Sequence, residues 1–265
     1  MSGVPGNGEL RIGLVALPAG RQISASYYSG EPIAWATVQP VPHPGRVWAD
    51  LSAAHQRTGL VPFLLSGLDG DTKRPWDDGE FNDPETISSL DQLDARQVLA
   101  SGWYDQGYED EGEDEDGELT ALIAPFSGQF PGLAPATDRQ LSPGELEDVL
   151  GSLPPARIGL TDVARPADVL PRIGWLGAAN WHGPPLPIAA VLRSWEDRFG
   201  ARLLDIGFAE IRLLVDRPPR SLEAAQRIAA EHFAFCDECG GQGLRDISSI
   251  AVSLVNAPIW TFWWD

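Results

Sequence analysis

The C-terminal end of the chain is unusually aromatic for a terminus. The chain ends in the sequence IWTFWWD, and four of its last six residues are aromatic. Exposed indole rings leave a large apolar area in water, whereas burial of that area stabilises a fold. We therefore expect either a packed strand or a surface that binds something. Because side chains alternate across a strand, its core face would carry Trp260, Phe262 and Trp264. Trp263 and Asp265 would lie on the opposite face and need a separate explanation.

Composition indicates a globular protein. Apolar residues make up 43% and charged residues 22% of the 265 positions, which is typical of globular domains. No run of about 18 apolar residues is present, so we expect no transmembrane helix. The N-terminal sequence MSGVPG lacks the basic start and apolar core of a signal peptide. Two cysteines are too few for a disulfide framework, and together these observations predict a cytoplasmic protein with no membrane partner.

A net charge of −19 narrows the choice of partners. A field of this sign repels phosphate backbones, which argues against a nucleic-acid partner. The charge is compatible with a basic protein partner and also with solubility alone. Residues 105–118 hold nine acids and no basic residue, and we interpret them as a solvated or disordered loop because like charges repel. A calcium loop would require a ligand spacing that this stretch lacks.

The spacing of apolar and turn-forming residues predicts strands alternating with helices. Strands are predicted at 10–17, 32–38, 60–65, 157–161, 201–206, 210–215 and the tail, and helices at 46–57, 88–100, from Ser142, and at 164–173, 188–199, 221–235 and 244–254. This order predicts an α+β fold, in which helices pack on a mixed sheet that the C-terminal aromatic strand closes. We divide the chain into an N-terminal α/β region (1–125), a Pro-rich connection (126–154) and a C-terminal α+β domain (155–265).

Several separated blocks in the second half resemble a known bacterial family. The blocks are RPAD (165–168), GW (174–175), WEDRFGA (195–201), AEHFAFC (230–236) and WTFWWD (260–265). Ordered blocks at sensible spacing are more specific than one short motif. They identify residues 155–265 as similar to Domain of Unknown Function 4253. The resemblance implies a domain and a bacterial origin, and it implies no activity or ligand. Cys239 departs from the family pattern.

His232, Cys236 and Cys239 form the cluster with the most chemical potential. A His and a Cys four residues apart share one helix face, so the three residues could ligate zinc, or the cysteines could form a redox pair. A fourth zinc ligand is missing unless the fold supplies one. The cysteines also lie at the C-terminal end of a helix, where the dipole does not favour a thiolate. We therefore favour a hydrogen-bonded core histidine without a cofactor, and zinc stays the alternative.

The tryptophans allow three interpretations. Trp195, Arg198 and the tail could form a recognition surface, because arginine stacks on indole rings. Core packing is the interpretation that the helical spacing of Trp195 and the alternation of the tail favour. A small-molecule sensor would instead use an aromatic pocket lined by Trp175, Trp181 and Trp263.

No complete catalytic motif is present in the sequence. We therefore favour a non-enzymatic protein that binds another protein, for example in an immunity- or antitoxin-like role. The alternative is a metal-dependent or hydrolytic enzyme that uses His232 with Cys236, Cys239 or nearby acids. Binding candidates are Trp175, Trp181, Trp195, Arg198, His232, Trp263 and Asp265.

Overall fold

The architecture is a mixed β-sheet with helices on both faces. The computed structural model describes residues 3–26, 30–105, 121–179, 183, 185–236 and 246–264. The strands are β1 (Gly8–Ile12), β2 (Val15–Ile23), β3 (Ala34–Thr37), β4 (Leu60–Leu65), β5 (Arg157–Asp162), β6 (Ala201–Ile206), β7 (Glu210–Val215) and β8 (Ile259–Trp263). The α-helices used below are α1 (Pro44–Thr58), α2 (Ala95–Asp105), α3 (Pro143–Gly151), α4 (Val169–Ile173), α5 (Leu186–Phe199), α6 (Leu222–Phe235) and α7 (Ile247–Leu254). The predicted α+β class is confirmed.

The strand order is β1-β2-β3-β5-β4-β6-β7-β8. Neighbouring strands are antiparallel except β4 and β6, which are parallel. Strand β5 comes from the C-terminal region but lies between β3 and β4 of the N-terminal region, where Gly159 pairs with Phe63. The two regions therefore share one sheet. The division of the chain around 126–154 stays a prediction.

Each face of the sheet has its own apolar core. Helices α2, α5, α6 and α7 cover one face, where Phe63, Leu203 and Trp195 belong to the same buried cluster. Helices α1 and α3 cover the other face, which buries Trp48 and Leu204. Strand side chains alternate between the two clusters, as the two-residue period of a strand requires.

Helix ends follow the local sequence. At the start of α3, Ser142 accepts a hydrogen bond from the Glu145 N–H, and the Glu145 carboxylate accepts one from the Ser142 N–H. This is the capping box that the sequence predicts. Helix α5 ends at Gly200, whose φ of 64° is in the left-handed region that favours glycine.

Three predicted elements differ in the structure. The single strand predicted at 10–17 is a hairpin, because the chain turns at Gly13, whose φ is 59°. The helix predicted at 88–100 is a two-turn 3₁₀ segment, Ile87–Gln92, followed by α2. The helix predicted at 164–173 is a one-turn segment, Pro166–Asp168, followed by α4. In the last two cases, the helical spacing of apolar residues continues from one helical segment into the next, so the sequence predicts one helix where the structure has two segments.

The aromatic tail is the edge strand β8, as predicted. It pairs with β7, and its side chains Trp260, Phe262 and Trp264 are buried. On the opposite face, Thr261 is exposed and Trp263 is half-buried. Asp265 and nearly all of the acidic stretch 105–118 lie outside the described residues. Of the helices described, none has the length and apolar character needed to cross a membrane.

Candidate functional site

Two of the sequence candidates meet at a buried carboxylate. Glu231 on α6 is fully buried and accepts two hydrogen bonds from the guanidinium of Arg198, at 2.7 and 2.6 Å. The indole N–H of Trp195 donates to the same carboxylate at 2.7 Å, and the backbone N–H of Ala134 donates at 2.6 Å. Four donors therefore satisfy a charge that would otherwise be costly to bury. Trp195 and Arg198 hold the core together here, and neither ring face nor guanidinium is presented as an open surface.

His232 lies next to this carboxylate in an aromatic cluster. Its ring centroid is 4.6 Å from that of Trp260, 4.7 Å from that of Phe262 and 5.1 Å from that of Trp195. Burial lowers the pKa of His232 to about 3, because the charged imidazolium would lose its hydration. The imidazole is therefore neutral at physiological pH and is sealed from solvent by aromatic rings.

Cys236 is buried at the end of α6. Its Sγ donates a hydrogen bond to the carbonyl of Trp263, 3.0 Å away, so the thiol ties α6 to the edge strand β8. Cys239 lies outside the described residues. Within the part of the chain that the structure describes, no group of three or more His, Cys, Asp or Glu side chains is arranged to hold a metal ion.

The proposed sensor tryptophans occupy different environments. Trp175 is 2% exposed, packs edge-on against Trp264 at 5.6 Å, and donates its indole N–H to the Gly207 carbonyl at 2.9 Å. Trp263 is on the opposite face of β8 from Trp264. Trp175 and Trp263 thus do not line one pocket, and Trp181 lies outside the described residues.

The arginines of this acidic protein are largely paired inside it. The partially buried pairs are Arg157–Asp77, Arg165–Glu196, Arg172–Asp162, Arg193–Asp168, Arg198–Glu231, Arg202–Asp216, Arg212–Asp205 and Arg220–Glu145. Asp168, Asp205 and Glu231 in this set are at most 1% exposed. The paired arginines therefore serve the fold, whereas exposed acids such as Asp69 and Asp83 form no ion pair with a residue that the structure describes.

Residues 67–94, which we call the acidic strap, connect β4 to α2. The segment carries nine acids against Lys73 and Arg74. Apolar side chains anchor it: Trp76 stacks on Phe63 with centroids 5.4 Å apart, and Phe81 is fully buried. The strap is therefore fixed against the core, although its only regular elements are the short helical segments Leu68–Gly70, Lys73–Asp77 and Ile87–Gln92.

Backbone and ionic contacts fix the strap at further points. The Asn82 N–H donates to the Gly174 carbonyl at 2.8 Å. The Asp77 carboxylate lies 2.9 Å from Arg157 and 2.5 Å from Arg21. Burial acts to raise the pKa of Asp77, but these two guanidinium groups outweigh it and lower the pKa below its ordinary value. Asp77 is therefore a structural charge.

Other strap acids point into solvent. Asp69, Asp78, Asp83 and Asp94 are exposed, and none of them forms an ion pair with another described residue. At Asp69 the backbone φ is 56°, a conformation that aspartate and asparagine tolerate better than most residues. The strap thus presents several unneutralised carboxylates on a fixed backbone.

A cleft opens where the two parallel strands diverge. β4 and β6 pair only through Leu64 and Leu65. Before that point Pro62 has no N–H to donate, and its carbonyl accepts the indole N–H of Trp48 at 3.0 Å. The separation leaves a cleft of about 430 Å³ between α1, β4, β6 and the start of the 166–168 turn. This volume is within the range of small-molecule sites.

Polar groups line the cleft from both faces of the sheet. The Arg202 guanidinium lies 5.0 Å above the Trp48 ring and donates to Asp216 at 2.7 Å, while its buried Nε has no hydrogen-bond partner among the described residues. The Oε1 atom of Glu196 lies 3.4 Å from the Nε atom of Arg165. Burial raises the pKa of Glu196, and Arg165 compensates only in part.

Sequence reasoning missed both the strap and the cleft. The cleft residues Trp48 and Arg202 are distant in sequence, and only the strand order brings them together. A local signal did exist for Arg202, which is one of two charged residues, with Asp205, in a mostly apolar strand. For the strap, the signal was the presence of the aromatic residues Trp76 and Phe81 among the acids. Large apolar side chains in an acidic loop indicate that the loop is anchored in the core and is not disordered.

Comparison with known proteins bears on the C-terminal region. Residues 157–265 match the model of a family described as "Domain of unknown function (DUF4253)", which confirms the resemblance of the sequence blocks. No curated protein and no solved structure matches the chain.

Proposed function

We propose that this protein, whose residues 157–265 match the DUF4253 family model, binds a basic protein through the acidic strap and catalyses no reaction. The observation that carries the proposal is the placement of the charges. Most of the described arginines are paired with acids in the fold, whereas Asp69, Asp78 and Asp83 in the strap are exposed and form no ion pair with any described residue. The surface field is therefore negative close to the strap.

A negative, fixed surface suits a protein partner with complementary charge. Long-range attraction raises the rate of encounter, and rim charges exclude partners of like charge. Because Trp76 and Phe81 anchor the strap in the core, its acids would lose little conformational freedom on binding. Immunity and antitoxin proteins, which mask a partner's surface, are one class that would use such a strap.

The chemistry of the core supports binding over catalysis. His232, the central residue of the enzymatic alternative, is 3% exposed and enclosed by aromatic rings. A general base must reach the proton that it removes, directly or through one water. Glu231 is occupied by four hydrogen-bond donors and has no free lone-pair direction for a substrate.

Affinity capture from bacterial lysate at low salt tests the proposal. The tagged protein is compared with a strap variant, Asp69→Asn with Asp78→Asn and Asp83→Asn. The control variant, Asp50→Asn with Asp138→Asn and Asp148→Asn, removes the same charge from exposed acids elsewhere. We expect the wild type and the control to capture the same basic protein, and the strap variant to lose it. Recovery of the wild type alone, or equal capture by the strap variant, would refute the proposal.

The cleft supports a second candidate function, the binding of a small molecule. The specific observation is that Arg202, whose buried Nε has no hydrogen-bond partner among the residues that the structure describes, lines a cleft of ligand size. A ligand with a carboxylate or carbonyl acceptor would satisfy this donor. Ligand binding to the folded state raises the melting temperature by mass action. A panel of small carboxylic acids should therefore include compounds that stabilise the wild type but not Arg202→Met; no differential stabilisation would exclude this candidate.

A further inference from the structure

Strand β1 forms one edge of the sheet, and its outer side pairs with no described residue. Its inner side pairs with β2 in a hairpin whose turn is flanked by Ile12 and Val15. The pair that closes a two-residue turn is hydrogen-bonded, so Ile12 and Leu10 direct their backbone groups toward β2. Arg11, opposite Ala16, therefore directs its backbone N–H and C=O groups outward. The register against β2 shifts between Gly8 and Leu10, and the alternation along β1 itself directs the backbone groups of Glu9 outward as well.

The side chains on this edge are self-complementary. Glu9 and Arg11 are two positions apart, so they lie on the same face of the strand. Both are exposed, and neither forms an ion pair with any residue that the structure describes. If a second copy of β1 lies antiparallel with Leu10 opposite Leu10, Glu9 of each copy is opposite Arg11 of the other.

We propose that the protein forms a two-fold symmetric dimer through β1, which joins the two sheets into one. In the register centred on Leu10, Glu9 of each copy forms a hydrogen-bonded pair with Arg11 of the other copy. The interface therefore contains two such pairs. Each such pair exchanges two backbone hydrogen bonds, which gives four across the interface. The same register places two cross-strand ion pairs on the exposed face. Backbone and side-chain complementarity thus require the same alignment.

The opposite face of β1 is compatible with this alignment. Leu10 is half-buried and packs against the core beneath α1, and Ile12 is 8% exposed. In the dimer the two Leu10 side chains meet at the two-fold axis as a close, non-hydrogen-bonded pair. The apolar clusters beneath α1 in the two copies then become continuous.

Charged residues on an edge strand often serve to prevent pairing with another chain. That role requires charges that repel an incoming copy. Glu9 and Arg11 have opposite signs at positions that face each other under two-fold symmetry, so they attract a second copy. Charges of one sign at both positions would have blocked it. The strand is therefore suited to self-pairing and poorly suited to protection.

The oligomeric state of the full chain tests the proposal. Light scattering after size exclusion, at physiological ionic strength so that the net charges are screened, should give twice the chain mass of 28.6 kDa as concentration rises. Arg11→Glu alone and Glu9→Arg alone should each raise the dimer dissociation constant at least about tenfold. The double variant Glu9→Arg with Arg11→Glu restores both pairs and should restore the dimer.

Mixing the two single variants provides an independent check, because each supplies the charge that the other lacks. We expect a heterodimer from the mixture and monomers from each variant alone. The control Leu14→Ser removes a 99% exposed apolar side chain at the turn, outside the paired residues, and should leave dimerisation unchanged. A wild type that stays monomeric at all concentrations overturns the proposal. A dimer that persists in Arg11→Glu, or a double variant that fails to recover, also overturns it.

Discussion

Arg198 and Glu231 form a bidentate ion pair inside the protein, with a fully buried carboxylate. The pair joins α5 to α6, and the N–H groups of Trp195 and Ala134 complete its coordination. A buried pair of this kind is weak evidence for net stability, but removal of one member leaves an uncompensated charge. This asymmetry gives the first prediction.

Glu231→Gln should destabilise the protein by about 3–5 kcal/mol, because the Arg198 charge loses its counter-ion and the new amide N–H₂ faces other donors. Urea unfolding measures the change. The control is Glu147→Gln, which breaks the exposed Arg46–Glu147 pair and should cost less than about 1 kcal/mol. Similar costs for the two variants would contradict the structural role of Glu231.

The buried His232 should make stability pH-dependent. Its pKa in the folded protein is about 3, below the ordinary 6.5, so between these values the unfolded chain binds a proton that the folded chain does not. Stability then rises with pH in this window, by up to about 1.4 kcal/mol per pH unit. We expect His232→Phe to flatten the dependence of the unfolding free energy between pH 5 and 6.5, roughly the range in which histidine titrates. Parallel curves for wild type and variant would show that His232 is not the cause.

Gly102 allows a close approach of two helices. A Cβ atom at this position would lie 2.1 Å from the Ala234 carbonyl oxygen, so α2 must move away from α6. Gly102→Ala should therefore cost about 1–3 kcal/mol despite the better helix propensity of alanine. Gly144→Ala in α3 is the control, because its Cβ would meet nothing within 4 Å and should stabilise by about 0.4–1 kcal/mol. Thermal unfolding of the two variants should give shifts of opposite sign, and shifts of the same sign would contradict the contact.

Neighbouring tryptophans of β8 should differ in their contribution to stability. Trp264 is 2% exposed and packs against Trp175 and Phe235, so Trp264→Ala should cost about 3–5 kcal/mol. Trp263 is half-buried, and its backbone carbonyl rather than its ring accepts the Cys236 hydrogen bond. Trp263→Ala should cost less than about 2 kcal/mol. Chemical denaturation measures both, and an equal or larger loss for Trp263 would assign it to the core instead.

Local patterns predicted the elements better than their arrangement. Strands β6 and β7 and the stripe of α5 are in the predicted positions, because alternation and helical period depend on nearby residues. The hairpin at Gly13 was missed because apolar residues continue through the turn. The insertion of β5 between β3 and β4 was not predictable in this way, since strand order is decided by contacts between distant segments.

For the candidate sites too, the sequence predicted individual residues better than their arrangement. Trp195, Arg198 and His232 were identified from residue type, and the structure gathers them around Glu231 in the core. Residue type alone does not distinguish a buried aromatic cluster from a binding surface. The cleft depends on the approach of Arg202 on β6 to Trp48 on α1, which no local pattern encodes.

The position of β5 has a consequence for synthesis of the chain. Strands β3 and β4 are complete early, but the strand that joins them is made about 100 residues later. At typical ribosomal speeds of about 5–20 residues per second, β5 is synthesised about 5–20 s after the apolar strands β3 and β4. Throughout that interval the edges of β3 and β4 that will pair with β5 have no partner strand, and a chaperone or another nascent chain can compete with β5 for them.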